Sequence, residues 1–90
     1  MPRYIIERTV PGVHRLNADG LKNLSKRSNE VLHELGPDIQ WVESYVLPDK
    51  ICCVYMAANE DIIQEHAKRG PFPIDRVTQV KTVIDPTTGE

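Results

Sequence analysis

The side chains with the chemistry to bind a metal ion or to move a proton are few and scattered along this chain. Its three histidines are His14, His33 and His66, and none of them forms a local metal-binding motif with a neighbour. His33 lies beside Glu34 on the side of a helix that is predicted to face solvent, and His14 lies in a loop after a strand. Any metal site must therefore be assembled by the fold or between two chains.

His66 and Cys53 carry most of the candidate chemistry. His66 follows Ile62 by four residues, on the helical stripe that faces the sheet, where a lone histidine is either a hydrogen-bonded core residue or a ligand. Imidazole and carboxylate suit Ni²⁺, Zn²⁺ or Cu²⁺, and thiolate suits softer ions, so the candidate metal ligands are Glu7, Cys53 and His66. Cys53 with His66 is also a candidate thiolate–imidazole pair, although the sequence has no cue for an oxyanion hole.

Composition narrows the class of protein. Ninety residues form one domain, 1–90, with 40% hydrophobic and 27% charged residues. A net charge of −2 and a pI near 5.9 argue against a dedicated binder of nucleic acid or of anionic membranes. No apolar run approaches the roughly 18 residues of a membrane span, and MPRYIIERTV is not a signal peptide, so we expect a cytoplasmic protein.

Two classes of cofactor have no support in the sequence. The only cysteines, Cys52 and Cys53, are adjacent, so they neither make a disulfide framework nor supply the four thiolates of an iron–sulfur cluster. The five glycines are scattered at turns, and no phosphate-binding glycine loop is present. We therefore expect reduced thiols, no iron–sulfur cluster and no nucleotide.

The elements that must position these residues follow an order of strand, helix, two strands, helix and strand. Hydrophobic periodicity and turn residues predict strands at 3–10, 39–47, 51–58 and 75–85. They also predict a first helix that starts near Asn17 or Asp19 and ends at Gly36-Pro37, and a second helix from Asn59 to Gly70. Pro48-Asp49-Lys50 is the predicted hairpin connection. This order predicts an α+β, ferredoxin-like fold, with both helices on one face of a four-stranded antiparallel sheet.

Strict alternation along the central hairpin divides its side chains between two faces. It places Val42, Val46, Val54 and Met56 toward the helices, and Trp41, Glu43, Tyr45, Cys53 and Tyr55 on the open face. In the first strand it places Glu7 on the open face and Arg8 on the helix side, and it leaves the face of the last strand undecided. Aromatic rings on an uncovered sheet indicate an interface or a ligand site, so we expect a homodimer that closes into an α+β barrel.

Several short segments, taken together in order, resemble a small bacterial family that was catalogued as a domain of unknown function and later described as nickel-responsive or nickel-binding. They are Tyr4 with Glu7-Arg8, Trp41-Val42-Glu43-Ser44-Tyr45, Cys53-Val54-Tyr55, Ile62-Ile63 with His66-Ala67 and Gly70, and DRVTQV. The resemblance covers nearly all of the chain. It implies a ferredoxin-like fold, a dimeric α+β barrel and nickel binding in a characterised member, and it implies no agreed reaction.

From the residues and the resemblance together we predict a cytoplasmic homodimer that binds a divalent transition metal, with nickel as the first candidate. Trp41, Tyr45 and Tyr55 are the predicted ligand-contacting rings beside the metal candidates. Two alternatives stay open at this stage. One is a cofactor-independent enzyme of the dimeric barrel type with His66, Glu7 or a tyrosine as proton shuttle, and the other is a small-molecule-binding module without chemistry.

Overall fold

The computed structural model of the chain describes residues 1–90 and contains two helices and four strands. In chain order the elements are β1 (Arg3–Thr9), α1 (Ala18–Leu35), β2 (Ile39–Leu47), β3 (Lys50–Ala57), α2 (Glu60–Arg69) and β4 (Arg76–Gln79). Single turns of 3₁₀ helix at Val13–Arg15 and Pro86–Gly89 were not predicted. Neither helix is long and apolar enough to cross a membrane.

Both helices begin at an asparagine that satisfies free backbone N–H groups. The side-chain oxygen of Asn17 accepts a hydrogen bond from the Gly20 N–H at 2.9 Å, and that of Asn59 accepts one from the Ile62 N–H at 3.1 Å. This settles the choice between Asn17 and Asp19 as the cap of α1. Helix α1 ends at Gly36, whose φ of 84° lies in the left-handed region that favours glycine.

The four strands form one antiparallel sheet in the order β2-β3-β1-β4, and both helices pack on one face of it, as the ferredoxin-like fold requires. The core lies between the helices and this face. Its buried members are Tyr4, Ile6, Val13, Ile39, Ile51, Cys53, Tyr55, Ala57 and Ile63. The predicted fold class is therefore confirmed.

The last strand is shorter than predicted. Pairing between β1 and β4 runs from Glu7 opposite Arg76 to Tyr4 opposite Gln79, and the strand stops there because β1 itself begins at Arg3. Val77 lies on the helix side, opposite Ile6, which resolves the question that alternation left open. One more backbone hydrogen bond, from the Val80 N–H to the Arg3 carbonyl at 2.8 Å, follows the last pair. Beyond it the chain has no partner strand, and Val83 and Ile84 are 63% and 75% exposed.

The predicted faces of β3 were wrong, and the hairpin turn is the reason. Leu47 pairs with Lys50, so the turn contains two residues, Pro48 and Asp49, rather than three. Asp49, the second central residue, takes a positive φ of 57°, which a type II turn with proline at its first central position requires. A one-residue change of register moves every side chain to the opposite face. Consequently Cys53 and Tyr55 are buried against the helices, whereas Val54 and Met56 lie on the open face.

The predicted face of Trp41 was wrong for a second reason, a bulge in β2. Trp41 pairs with Tyr55 and Glu43 pairs with Val54, so Val42 is the extra residue in the pairing. Trp41 and Ser44 consequently lie on the same side, and the indole N–H donates to the Ser44 hydroxyl at 2.9 Å. Because the alternation shifts at the bulge, Glu43 and Tyr45 stay on the open face as predicted, while Trp41 faces the helix side.

The end of α2 is fixed to α1 by an arginine. The guanidinium of Arg27 donates to the carbonyl of Gly70 at 2.9 Å and to that of Arg69 at 2.8 Å, where the last carbonyls of a helix have no internal partner. Gly70 is itself buried, and a methyl group at its position would overlap the ring of Phe72. The chain therefore passes from α2 to the Phe72 segment with no room for a side chain.

We expect Gly70→Ala to lower the free energy of unfolding by about 1–3 kcal/mol, because the new methyl group must displace the Phe72 ring from its packed position. Urea unfolding followed by the fluorescence of Trp41 measures this. The control is Gly89→Ala, where a methyl group meets nothing within 4 Å and the change should stay within about 0.5 kcal/mol. Equal stability of the two variants would contradict the tight contact at Gly70.

Candidate functional site

A cleft opens between α1 and the helix-facing side of the sheet. Its volume is about 80 Å³, several times what one water molecule requires. Helix α1 contributes leucines and serines, and the sheet contributes aromatic, polar and aliphatic side chains. The lining residues are Arg8, Leu21, Leu24, Ser25, Ser28, Trp41, Ser44, Val46, Ile51, Cys53, Tyr55 and Phe72.

Arg8 supplies the one charged group in the lining of the cleft. It follows the buried side of β1 after Tyr4 and Ile6, and it is only 5% exposed. Its Nη1 donates to the carbonyl of Pro73 at 2.8 Å, and its Cζ lies 5.7 Å from the centre of the Phe72 ring. The segment that follows α2 therefore fixes the position of this guanidinium through Pro73 and Phe72.

His66 lies behind the cleft, 1% exposed, between the two helices and the sheet. Its Nε2 is 3.2 Å from the hydroxyl oxygen of Ser28 on α1, and its ring centre is 5.3 Å from that of Tyr55 and 5.1 Å from that of Phe72. The ring atom Nδ1 has no hydrogen-bond partner. The core therefore contains one polar atom that its own chain leaves unsatisfied.

Burial keeps His66 neutral. Desolvation, and after it the positive charge of Arg8, lowers the pKa of His66 from its usual 6.5 to about 4. A proton on Nε2, donated to Ser28, leaves only a lone pair unpaired at Nδ1, which costs less than an unpaired N–H. Burial likewise raises the pKa of Tyr55. At neutral pH the cleft is therefore lined by an uncharged phenol and backed by an uncharged imidazole.

The open face of the sheet carries a second group of polar side chains in one row. Glu7 on β1 lies directly opposite Cys52 on β3 and Arg76 on β4, and Cys52 lies opposite Tyr45 on β2. Partial burial, followed by the neighbouring Cys53 and Glu7, raises the pKa of the Cys52 thiol. Glu7 makes no ion pair within the chain. A carboxylate and a thiol are thus adjacent on a face that no element of the chain covers.

The structure separates the residues that the sequence singled out as metal ligands. Glu7 lies on the open face, whereas Cys53 and His66 lie on the helix side, so the sheet stands between them. No group of three or more histidine, cysteine, aspartate or glutamate side chains converges anywhere in the chain. The donors of a single chain therefore do not fit a nickel ion, and the metal role of each residue stays a prediction.

The three predicted ligand-contacting rings are also divided. Trp41 and Tyr55 both line the cleft, while Tyr45 is 53% exposed on the open face. Sequence reasoning missed Arg8, Ser28 and Phe72 as parts of the cleft, and it missed Cys52 as the neighbour of Glu7. The length of the hairpin turn was the signal for Cys52, because a two-residue Pro-Asp turn places Cys52 opposite Tyr45.

Comparisons with known proteins agree with this fold. A family model described as "Nickel responsive protein SCO4226-like" matches residues 4–80. The crystal structure of SCO4226 from Streptomyces coelicolor A3(2) is similar to this chain with a TM-score of 0.74 at 14% sequence identity, over 91% of this chain and 99% of that one. No curated protein matches the sequence.

The buried neutral histidine predicts a pH dependence of stability. Because the folded pKa of about 4 lies below the unfolded value of 6.5, the unfolded state binds more protons between these pH values, and stability falls as pH is lowered through them. We expect His66 to account for a loss of roughly 2 kcal/mol in unfolding free energy between pH 7 and pH 5. Urea titrations of the wild type and of His66→Gln at both pH values measure this difference.

The matched control for that experiment is His33→Gln, which removes an exposed histidine from α1. The free energy of unfolding of His33→Gln should fall between pH 7 and pH 5 by as much as that of the wild type. If the free energy of unfolding of His66→Gln also falls by as much as that of the wild type, then His66 is not held neutral by burial.

Proposed function

We infer that two copies of this chain, which belongs to the family of SCO4226-like nickel-responsive proteins, form a cytoplasmic homodimer that binds a divalent transition metal, nickel first. The observation that carries this proposal is the direct opposition of Glu7 and Cys52 on the uncovered face of the sheet. One chain supplies a carboxylate and a thiol at this place on the open face, and a second copy doubles them.

Apolar surface on the open face supports the dimer. Val54 and Met56 are half-buried, Tyr45 and Leu47 are 53% and 44% exposed, and all four belong to the face opposite the helices. Val83 and Ile84, in the segment after β4, are further exposed apolar side chains. A contiguous apolar face rimmed by polar residues is typical of a protein interface. A second copy that docks by two-fold symmetry would cover the same patch on both chains.

The donor chemistry is consistent with a shared ion. Two-fold symmetry would bring Glu7 and Cys52 of each chain to the same interface, which gives two carboxylates and two thiols, the number of ligands that a four-coordinate site needs. A thiolate and a carboxylate both bind divalent first-row metals. Because the pKa of Cys52 is raised, its thiol must give up a proton on binding, and the affinity for the ion should fall as pH is lowered.

We expect light scattering at micromolar concentration to give about twice the chain mass of 10.2 kDa. Val54→Asp places a charge at the middle of the open face and should shift the mass to that of one chain, because an unpaired charge at a buried interface is costly. Leu16→Asp is the control, since Leu16 is 42% exposed and lies outside the sheet. A wild-type mass near that of one chain would contradict the dimer.

We expect metal-free protein to bind Ni²⁺ with one ion per two chains in a calorimetric titration. Glu7→Gln and Cys52→Ser should each weaken binding at least about tenfold, equal to about 1.4 kcal/mol, because each removes a charged donor. Zn²⁺ is titrated in parallel to compare the two ions.

Cys53→Ser and His66→Gln are the matched variants for the metal titration. Cys53 is the neighbour of Cys52 on the opposite face, so its loss should leave the affinity unchanged. If these two variants weaken binding and Glu7→Gln does not, the ion lies on the helix side of the sheet. If none of the four variants changes the affinity, the proposed site is wrong.

A second candidate function is the binding of a small molecule in the cleft, with or without a reaction. The observation that favours it is the cleft itself, where Arg8, Ser28 and Tyr55 converge on a volume of about 80 Å³. Neutral His66, with its proton on Nε2, donates to the Ser28 oxygen at 3.2 Å and so holds this hydroxyl at the lining. The metal site and this cleft lie on opposite sides of the sheet.

A further inference from the structure

Arg8 is a buried cation without a counter-ion in its own chain. It is 5% exposed, and none of the four ion pairs of the chain includes it. Its hydrogen bond to the carbonyl of Pro73 and its position beside the Phe72 ring satisfy only part of a guanidinium that carries five N–H donors. An arginine cannot escape this cost by losing its proton.

The lining of the cleft offers nothing negative to balance this charge. None of the twelve lining residues is an aspartate or a glutamate. The other polar groups of the lining are hydroxyls, a thiol and an indole N–H, from Ser25, Ser28, Ser44, Tyr55, Cys53 and Trp41. A buried charge that is left unpaired is costly, so the cleft is complementary to an anion.

The remaining hydroxyls are arranged to donate toward such an anion. When Nε2 of His66 donates to the Ser28 oxygen, the Ser28 O–H is left free to donate into the cleft. The phenol of Tyr55 stays protonated because burial raises its pKa, so it is also a donor. A guanidinium, a phenol and a serine hydroxyl therefore line the same cleft.

Much of the remaining lining is apolar. It includes Leu21 and Leu24 of α1, Trp41 of β2, and Ile51 of β3, which is the cross-strand partner of Arg8. A ligand that satisfies both kinds of lining needs a compact negative group with two acceptor atoms and an uncharged remainder that contacts carbon. A carboxylate has the two coplanar oxygens that a guanidinium binds best. The small volume limits the remainder to a few atoms.

We propose that the cleft between α1 and the sheet binds a small monocarboxylate, whose carboxylate pairs with Arg8 and whose apolar part lies against Leu21, Leu24 and Ile51. This inference rests on the second candidate function, ligand binding in the cleft, and names the chemical class of that ligand. It is independent of the metal, which is proposed for the opposite face.

Trp41 lines the cleft and is the only tryptophan of the chain, so its fluorescence reports on occupancy. The chain, freed of metal by a chelator that is then removed by dialysis, is titrated with acetate, propionate and benzoate, with the neutral propionamide and with inorganic phosphate. We expect at least one carboxylate to give a saturable change, and amide shifts in nuclear magnetic resonance spectra to centre on Ser28 and Tyr55. Propionamide should bind at least about tenfold more weakly than propionate, because it lacks the charge.

Arg8→Gln should weaken binding of the carboxylate at least about tenfold. Arg3→Gln is the matched control, since Arg3 lies on the same strand but points to the open face, and it should leave binding unchanged. Circular dichroism establishes that each variant is folded. If Arg8→Gln does not fold, the comparison of propionate with propionamide on the wild type decides the matter.

Three results would overturn the proposal. Equal binding of propionamide and propionate would show that the cleft accepts small molecules without selecting an anion, and would leave the second candidate function standing. Tight binding of phosphate with none of the carboxylates would assign a different ligand class. No saturable change with any of these probes would overturn the carboxylate and would remove the support for ligand binding in the cleft.

Discussion

The pairing register of the β2-β3 hairpin is the constraint on which both faces of the sheet depend. A two-residue turn at Pro48-Asp49 sets that register, and the bulge at Val42 shifts the alternation once more within β2. Since neighbouring side chains of a strand point to opposite faces, either feature alone decides which residues enter the core. Through this register Cys53 and Tyr55 become buried while Cys52 stays outside. No local interaction in these strands has consequences as wide.

Glu7 and Arg8 are neighbours along the chain, as are Cys52 and Cys53, and in each pair the two side chains point to opposite faces of the sheet. Glu7 and Cys52 lie beside each other on the open face, where water or a second chain reaches them, while Arg8 and Cys53 lie on the helix side. A carboxylate and a thiol in the first environment suit a cation. A guanidinium in the second suits an anion. Because a sheet separates the two groups, occupancy of one site places no steric demand on the other.

The helix side of the core contains three buried polar side chains, Arg8, Ser28 and His66. His66 and Ser28 link α2 to α1, and Arg8 links β1 to the segment that follows α2 through the Pro73 carbonyl. Such groups cost stability when they are buried, and one ring nitrogen of His66 is left without a partner. A core selected for stability alone would have aliphatic side chains at these positions. The buried polar groups therefore indicate that this region has a function.

The sequence by itself determined the order of elements, the Asn59 cap of α2, and the sides of Glu7 and Arg8, because caps and unbroken alternation depend on neighbours along the chain. It did not determine the faces of Trp41 and Cys53. Lys50 is equally suited to a turn or a strand, and the bulge is visible only when β2 is paired with β3. The end of β4 and the cleft around Arg8 likewise arise from contacts between residues that are distant in the chain, and only the tertiary structure decides those.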